Sequence, residues 1–570
     1  MRMKTDILVI GAGGAGARAA IEAATRAPEM KIIILNQGPV GRSGLTAMAN
    51  GGMVWVEHPD DSPEALFEDI LRYGCYLNEH NLVEALTVEG PQRAMELIKW
   101  GARMIPFEGG SAASPSGGAK RHPHPRGHYI PGAGYMEALK NEMSRHSNIT
   151  VFEDVITTKL LTSGSRVTGV FVLNIRNGDY VIIDAKAVIL ATGGLGEIYP
   201  HSTNAPFGMH GHATGTGYAM AYRAGAELID MEMVQFTGNQ LYPSWLLGNP
   251  ELLCMMCGGK YINALGDEFI QQPQPRDVIQ RSAYKEIREG RGTERGGVYI
   301  DLTLSPLTSE QIEDQLKHSL AEEVAKERWQ LIKRMSVNDP DPKKWRIEFT
   351  PGGAHFFMGG VRINEKCETS LEGLFAAGEV SGGVHGANRM GGNAMVEIIV
   401  FGARAGRYAF EYAREASEIK SEGDFKEEYE RLCSFFKDKG TAPKVITDKV
   451  AALMSEYAGV ARTATDLEKA LSVLKTVRDD DLPRMRAPSG LTFNQKWIEA
   501  IQVPFMLDVA EMIIRSALLR TESRGAHFRE DYPDTKSEWL RHTRILKKSD
   551  GMELTTAPVT ITKSSPEGKI

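Results

Sequence analysis

The stretch Asp6-Ile-Leu-Val-Ile10-Gly11-Ala-Gly13-Gly14-Ala15-Gly16, followed by Ala-Arg-Ala-Ala-Ile-Glu-Ala-Ala-Thr-Arg26, decides how the chain begins to fold. Residues 6–10 are a short apolar run of the kind a buried strand needs, and 17–26 is an Ala-rich segment that reads as a helix. Between them lies G-x-G-x-x-G. Its first glycine makes the tight turn and its second lets a pyrophosphate approach the backbone. Its third lets the helix pack closely, with the helix N-terminus aimed at the phosphates. Glycine-rich turns also serve plain packing, but a strand before and a helix after favour a dinucleotide; Gly14 and Ala15 lie inside the same turn. Lys31-Ile-Ile-Ile-Leu35 reads as the next strand and completes a βαβ unit. The acidic residue expected about 20 positions on is replaced by Asn36, which can still hydrogen-bond ribose, so NAD is not specifically indicated.

The chain has 570 residues, 42% of them hydrophobic, enough to fill more than one sizeable core. Its 66 Lys+Arg against 73 Asp+Glu give a net charge of −7, and no sustained basic run exists to track a phosphate backbone, which argues against nucleic acid as a partner. The first residues hold too short an apolar run for a signal peptide, and nowhere do about 18 uncharged apolar residues occur together. The expectation is a cytoplasmic protein that can dock at the face of a membrane complex without spanning the membrane. Five scattered cysteines, Cys75, Cys254, Cys257, Cys367 and Cys433, are too few for a disulfide framework and fit a reducing compartment.

Further strands are expected at 166–173 and 180–190, leading into Ala191-Thr192-Gly193-Gly194, with a helix at 213–229. From about 232 to 350 the pattern is irregular and loop-rich before strand-and-glycine signals return at 351–394, so a domain inserted within the first is the economical reading. From about 396 to 520 the periodicity is helical, for example at 424–437 and 448–478. The tail after 545, rich in Lys, Ser, Thr and Pro, reads as an extended arm or a frayed end. The expected division is 1–231 and 351–415 for the nucleotide-binding domain, 232–350 for the insertion, 416–541 for a helical domain and 542–570 for the tail.

A second glycine-bearing strand end at Ala191-Thr-Gly-Gly194 and a third at Leu374-Phe-Ala-Ala-Gly-Glu379 resemble, in this order, FAD-dependent oxidoreductases. The resemblance narrows at Pro275-Arg276-Asp277-Val-Ile-Gln-Arg281, His355-Phe-Phe-Met-Gly-Gly360, Ala387-Asn-Arg389-Met-Gly-Gly-Asn393-Ala394 and Arg520-Thr-Glu-Ser-Arg524-Gly-Ala-His527-Phe-Arg529. Together these look like the flavoprotein subunits of succinate dehydrogenase and fumarate reductase, a family that includes L-aspartate oxidase, and the resemblance runs from residue 5 to about 541. It implies an α/β fold: a Rossmann-like FAD-binding domain, an inserted α+β capping domain and a helical C-terminal domain, with substrate between cap and flavin. In such enzymes hydride passes between flavin N5 and one carbon of a C–C bond next to a carboxylate, while a side chain moves a proton at the neighbouring carbon.

The resemblance implies that Arg389 and His355 grip one substrate carboxylate and that Arg276 transfers the proton. An Arg fork suits a carboxylate bidentately. A free guanidinium is a poor acid, so Arg276 serves only if desolvated and relayed. Plainer readings are that Arg389 meets only the flavin, His355 caps a glycine turn and Arg276 pairs with Asp277. For FAD the resemblance implies Gln37 beside Asn36, then Arg42, Ser43, Gly44, Gly51 and Gly52 in the loop that follows. Farther on it implies Ala191, Thr192, Gly193, Thr216, Glu379, Arg389, Asn393 and Ala394. No histidine occurs between residues 36 and 57, where many members tether FAD, so the cofactor is expected to be held non-covalently.

The family's Gln-Phe-His-Pro-Thr segment reads here Gln235-Phe236-Thr237-Gly238-Asn239, so the histidine for the second carboxylate of a C4 diacid is Thr237. The family's Thr, which also holds that carboxylate, and its proton-relay Glu and Arg fall, laid without gaps, on Glu251, Leu252 and Met255. Losing two such hydrogen bonds at roughly 1.5–3 kcal/mol each weakens a diacid on the order of a hundredfold. The expected substrate therefore carries one carboxylate or acyl group and meets an apolar wall of Leu252, Leu253, Met255 and Met256; Tyr242 and Trp245 can stack on a ring, though aromatics in a cap are more often core. Cys254 and Cys257 have no second pair or flanking His cluster, which leaves packing, a redox dithiol or a metal site as readings, packing foremost. No metal is expected. His122, His124 and His128, in a Pro-spaced tract, read as a loop lining the site.

The expected function is that of an FAD oxidoreductase acting on a C–C bond next to a carboxylate or acyl group, as a catalytic subunit beside an iron–sulfur protein. Alternatives are a divergent fumarate reductase or succinate dehydrogenase flavoprotein, an adenylylsulfate reductase-like enzyme, and a non-catalytic electron-transfer flavoprotein.

Overall fold

In the computed structural model, Arg2–Ile10 lies inside a seven-stranded sheet ordered Ile149–Phe152, Ile32–Leu35, Arg2–Ile10, Tyr180–Leu190, Arg166–Asn174, Val155–Ser163, with Leu374–Ala376 beside the far end of Tyr180–Leu190. The structure describes residues 1–49, 52–106, 126–202, 213–242, 253–254, 257–272, 274–318, 339–418, 420–423, 425–549 and 551–563. Ile7–Ile10 and Ile32–Leu35 are buried throughout, which explains their unbroken apolar character: parallel strands are covered on both faces. The helices Gly14–Arg26 and Asn393–Glu415 pack against each other so closely that a Cβ on Gly406 would stand 2.2 Å from the Ala19 carbonyl oxygen. Because Ile149–Phe152, Ile32–Leu35, Arg2–Ile10, Tyr180–Leu190 and Leu374–Ala376 run parallel, their carboxyl ends bring Gly11, Asn36, Ala191 and Ala377 to one edge. That edge is where open α/β sheets bind ligands.

The segment read as irregular builds a five-stranded antiparallel sheet, ordered Val234–Tyr242, Arg346–Phe357, Val298–Asp301, Lys260–Ile262, Glu268–Ile270, and packs the helix Arg276–Arg288 on it. It has its own core, which includes Tyr261, Ile279, Ile300 and Phe349. The strand Arg346–Phe357 passes position 350 without a break and pairs with Val234–Tyr242, so these two strands join cap and sheet. The helical stretch expected at 448–478 is two helices, Pro443–Tyr457 and Ala464–Thr476; the second starts afresh where Thr463 Oγ1 accepts from the Asp466 amide. The helix expected at 213–229 is Thr216–Ala224, ended by left-handed Gly225, and that at 424–437 is Phe425–Cys433.

The tail expected as an extended arm is a correction. Arg541–Lys548 and Gly551–Pro558 form an antiparallel hairpin that extends the sheet containing Leu228–Ile229. His542 and Thr543, on opposite faces of its first strand, are both fully buried, so the usual apolar alternation is missing from the sequence. His542 sits between Asp230 and Glu79. Burial works against its charge, but these carboxylates outweigh it and hold the imidazole up to about 9. Burial likewise opposes the Glu79 charge, and the ion pair with His542 and the hydrogen bond from the Thr560 amide outweigh it and hold that carboxyl down to about 2.

The folded chain thus binds the His542 proton more tightly than the unfolded one. This contribution is whole below about pH 6.5 and is lost as pH rises through about 9. The melting temperature is expected to fall across that window more steeply for the wild type than for His542→Asn; parallel pH profiles would contradict the assignment. Among the described residues, no helix is long and apolar enough to cross a membrane.

Candidate active site

The glycine turn is fixed by backbone contact. Gly11 has φ +101°, and a Cβ there would stand 2.2 Å from the Ala191 carbonyl oxygen; one on Gly16 would stand 1.9 Å from the Gly11 carbonyl oxygen. Gly13 precedes the helix Gly14–Arg26, Ala15 is buried within its first turn, and the Gly14 amide donates to Thr46 Oγ1 at 3.2 Å. Asn36, expected at the ribose, also braces the turn. Its Oδ1 accepts from the Ala12 amide at 2.9 Å, and its Nδ2 donates to Gly38 O at 2.6 Å and Ser43 Oγ at 3.0 Å. Both amide hydrogens are used, which leaves one Oδ1 lone pair for a ligand. Gln37 accepts from Gln502 Nε2 at 3.3 Å, and Arg42 is exposed.

Several features fit a large, polar ligand along this edge. Gly44 and Gly193 have positive φ and, like Gly52, nothing within 4 Å of a built Cβ. The buried atoms Thr192 Oγ1 and Asn393 Nδ2 have no hydrogen-bond partner among the described residues. Such atoms are costly unless something satisfies them, and both lie beside the motif residues, Thr192 after the strand Tyr180–Leu190 and Asn393 at the start of its helix before Ala394. Thr216 Oγ1 pairs with Thr214 Oγ1 at 2.9 Å at the start of the helix Thr216–Ala224. Glu379 accepts from the Phe357 amide at 3.1 Å, and burial pushes its carboxyl up to about 7; burial pushes neighbouring Glu397 up to about 8. Gly51 lies outside the described residues.

Arg276, His355 and Arg389 arrive from three separate elements. Arg276 is the first residue of the cap helix Arg276–Arg288, at the positive end of its dipole, and is buried. His355 is the extra residue of a β-bulge: Gln235 pairs with Phe356 and Phe236 with Ala354, which takes His355 out of the ladder. Arg389 lies in the loop before Asn393–Glu415, its guanidinium 4.8 Å from the centre of the Phe356 ring. Burial, then the Arg276 charge, pushes Arg389 down from its ordinary value. Burial and both guanidiniums hold His355 well below the usual imidazole range, so it is neutral at pH 7.

The residue that joins them is, in sequence, only a motif neighbour. Gln235 Oε1 accepts from Arg389 at 3.0 Å and from Arg276 at 3.3 Å. Asp277 accepts from Asn388 Nδ2 at 2.8 Å and lies 3.7 Å from Arg281. His385, which no motif singles out, is buried against Phe356 with neither ring nitrogen hydrogen-bonded among the described residues. Two buried cations with a neutral imidazole beside them are a set of groups that could bind an anionic acyl group.

Thr237 is fully buried in the same strand as Gln235. Glu251, Leu252, Met255, Met256, Trp245, His122 and His124 lie outside the described residues. His128 stacks on Trp55 at 3.5 Å, and burial pushes it down to about 4. Leu253, Cys254 and Cys257 belong to the cap's apolar core, and burial pushes the Cys257 thiol up to about 12, which makes it a poor nucleophile at pH 7.

Residues 6–395 match the family model described as FAD binding domain, and 447–569 match the one described as fumarate reductase flavoprotein C-term. The chain is 39% identical to a fumarate reductase (CoM/CoB) subunit of Methanothermobacter marburgensis, over 96% of this chain and 97% of that protein. It is 31% identical to a fumarate reductase flavoprotein subunit of a Serratia species, over 99% and 96%. A solved E. coli quinol fumarate reductase chain superposes with a TM-score of 0.86 at 29% identity, covering 99% of this chain and 98% of that one. FAD is therefore the cofactor that the glycine turn and the unsatisfied Thr192 and Asn393 atoms fit, and the chain belongs to the fumarate reductase/succinate dehydrogenase flavoprotein family of oxidoreductases acting on CH–CH bonds.

Proposed function

We propose that this chain is a catalytic flavoprotein subunit in which Arg389, Arg276 and His355 hold one carboxylate or acyl group of the substrate and Arg276 moves a proton at the carbon beside it. The observation that carries the reading is the meeting of two buried guanidiniums on the single Gln235 amide oxygen, next to a neutral imidazole. FAD, when bound along the edge formed by Gly11, Gly13, Ala191, Thr192 and Asn393, supplies or accepts the hydride. The arginines withdraw charge from the acyl group as it becomes enolate-like, and this electrostatic stabilisation is the larger part of what the protein adds. Thr237 stands in the chain where the family has an imidazole for a second carboxylate, and the loss of that imidazole favours a monoacid.

Fumarate itself is the second reading, favoured by the names of the near-full-length relatives. Reoxidation of the reduced holoprotein by crotonate and fumarate separates them. The first reading expects a kcat/KM for crotonate at least about tenfold above that for fumarate; the reverse order establishes the second. No reoxidation by any alkenoic acid, with rapid transfer to a partner protein, sinks both. The division into an FAD domain, a cap and a helical domain belongs to the same proposal, as does an iron–sulfur partner: the relatives are named as subunits, and this chain's five cysteines include only one close pair. Non-covalent binding is expected to leave all flavin in the supernatant after acid precipitation; flavin in the washed pellet would overturn it.

A further inference from the structure

The loop 383–390, which carries Arg389, is neither strand nor helix, so its buried backbone groups must bond to other parts of the chain. On one side they meet the turn 74–79, between the helices Pro63–Tyr73 and His80–Lys99. The Glu79 amide donates to the Gly383 carbonyl at 2.8 Å, Asn78 Nδ2 donates to the Val384 carbonyl at 2.8 Å, and the Ala387 amide donates to the Gly74 carbonyl at 2.9 Å. On the other side the Ala526 amide, in the C-terminal motif, donates to the Ala387 carbonyl at 2.9 Å. Both backbone groups of Ala387, two residues before Arg389, are thus tied to segments from opposite ends of the sequence. Arg524 joins those segments, donating from Nη1 to the Cys75 carbonyl at 3.0 Å. Cys75 and Tyr76 have φ of +50° and +59°, a region that L side chains disfavour, and two such residues in a row persist only where their surroundings impose it. Asn78 is fully buried, and its side chain fills a slot that two glycines leave open: a Cβ on Gly74 would stand 1.9 Å from its Oδ1, and one on Gly386 2.6 Å.

We propose that Asn78, with Gly525 and Ala526 on the opposite side, is a positioning residue that sets the loop 383–390 and through it the place of the Arg389 guanidinium. The inference rests on the reading of Arg389 as a substrate-binding group, and it gives the C-terminal motif a part in substrate binding. The two sides can be disturbed separately. Asn78→Ala releases the Val384 carbonyl and empties the slot between the two glycines. Gly525→Ala pushes instead: at φ +54° its Cβ would stand 2.6 Å from the Ala387 carbonyl oxygen, and its three nearest atoms all belong to Ala387. A role confined to stability would lower the melting temperature without reference to what stands at 389. A positioning role makes the effect on ligand binding depend on the Arg389 side chain.

The test is a double-mutant cycle on the FAD-loaded protein, with Kd for crotonate or fumarate read from perturbation of the flavin absorption. Asn78→Ala and Gly525→Ala are each expected to weaken binding about tenfold with flavin content unchanged. In the Arg389→Met background the same substitutions are expected to change Kd by less than about twofold, since no guanidinium is left to misplace. Melting temperatures are expected to fall by the same amount in both backgrounds, so loss of stability cannot imitate the cycle; where Asn78→Ala fails to fold, Gly525→Ala decides alone. An equal loss of affinity in both backgrounds, or wild-type affinity in both single variants, overturns the proposal while leaving Arg389 a ligand-binding group. Wild-type affinity in Arg389→Met sinks the reading of Arg389 and the proposal with it, as does the absence of any perturbation of the wild type by either acid.

Discussion

Arg276→Gln is expected to lower kcat by about 10²–10⁴-fold, the range that a positioned proton donor contributes, while flavin content is unchanged and KM rises by less than about tenfold. The split follows from where the residue sits. Arg276 opens the cap helix and meets Gln235, whereas the proposed FAD edge is Gly11 and Ala191 at the strand ends and Asn393 at the start of its helix, so its loss leaves that cradle intact. Arg389 and His355 remain to grip the acyl group, so binding survives. The Gln side chain keeps a donor for Gln235 Oε1 but carries no charge and no transferable proton. Arg389→Met is the opposite case: one charge-assisted contact of about 1.5–3 kcal/mol is lost, and KM is expected to rise about 10- to 150-fold. Steady-state rates with whichever alkenoic acid reoxidises the flavin read both. A kcat for Arg276→Gln above a tenth of the wild-type value places the proton source elsewhere.

What the sequence revealed and what it hid divide on whether the cause is local. The turn at 11–16 was legible because the backbone admits no other residue: Gly11 is left-handed and Gly16 touches the Gly11 carbonyl. The cap sheet was not legible. Val234–Tyr242 buries polar Gln235 and Thr237 along with apolar Val234 and Phe236, shifts register three times and pairs with a strand far along the chain. The C-terminal hairpin was missed for a related reason, since the buried His542 is stabilised by Asp230 and Glu79, partners that no local pattern announces. At the site, Arg276, His355 and Arg389 were visible one by one as motif residues. Their common partner Gln235 was in plain view, but its importance depends on a helix start, a bulge and a loop meeting in space. Asn36 shows the converse: the right position in a motif, with its amide hydrogens already committed to Gly38 and Ser43.

Gly13→Ala is expected to leave the apoprotein folded and to weaken FAD binding by on the order of a hundredfold, whereas Gly11→Ala destabilises the fold itself. The two glycines lie two residues apart but face different constraints. Gly13 has φ −68°, which any residue adopts, and the nearest atom to a built Cβ is Thr46 Oγ1 at 3.8 Å, an ordinary contact. Nothing in the protein therefore opposes alanine there, and only a ligand against the backbone would meet the added methyl; a displaced pyrophosphate loses on the order of 2–3 kcal/mol, or about a hundredfold in Kd. At Gly11 the φ of +101° costs about 1–2 kcal/mol for an L side chain, and the Cβ would also overlap the Ala191 carbonyl at 2.2 Å, forcing two parallel strands apart. Apoprotein melting temperatures and FAD titrations of the two variants separate these effects. Wild-type FAD affinity in Gly13→Ala would mean that the pyrophosphate does not approach the backbone at this glycine, and the cradle would have to be redrawn around Gly44 and Gly193, where a Cβ also meets open space.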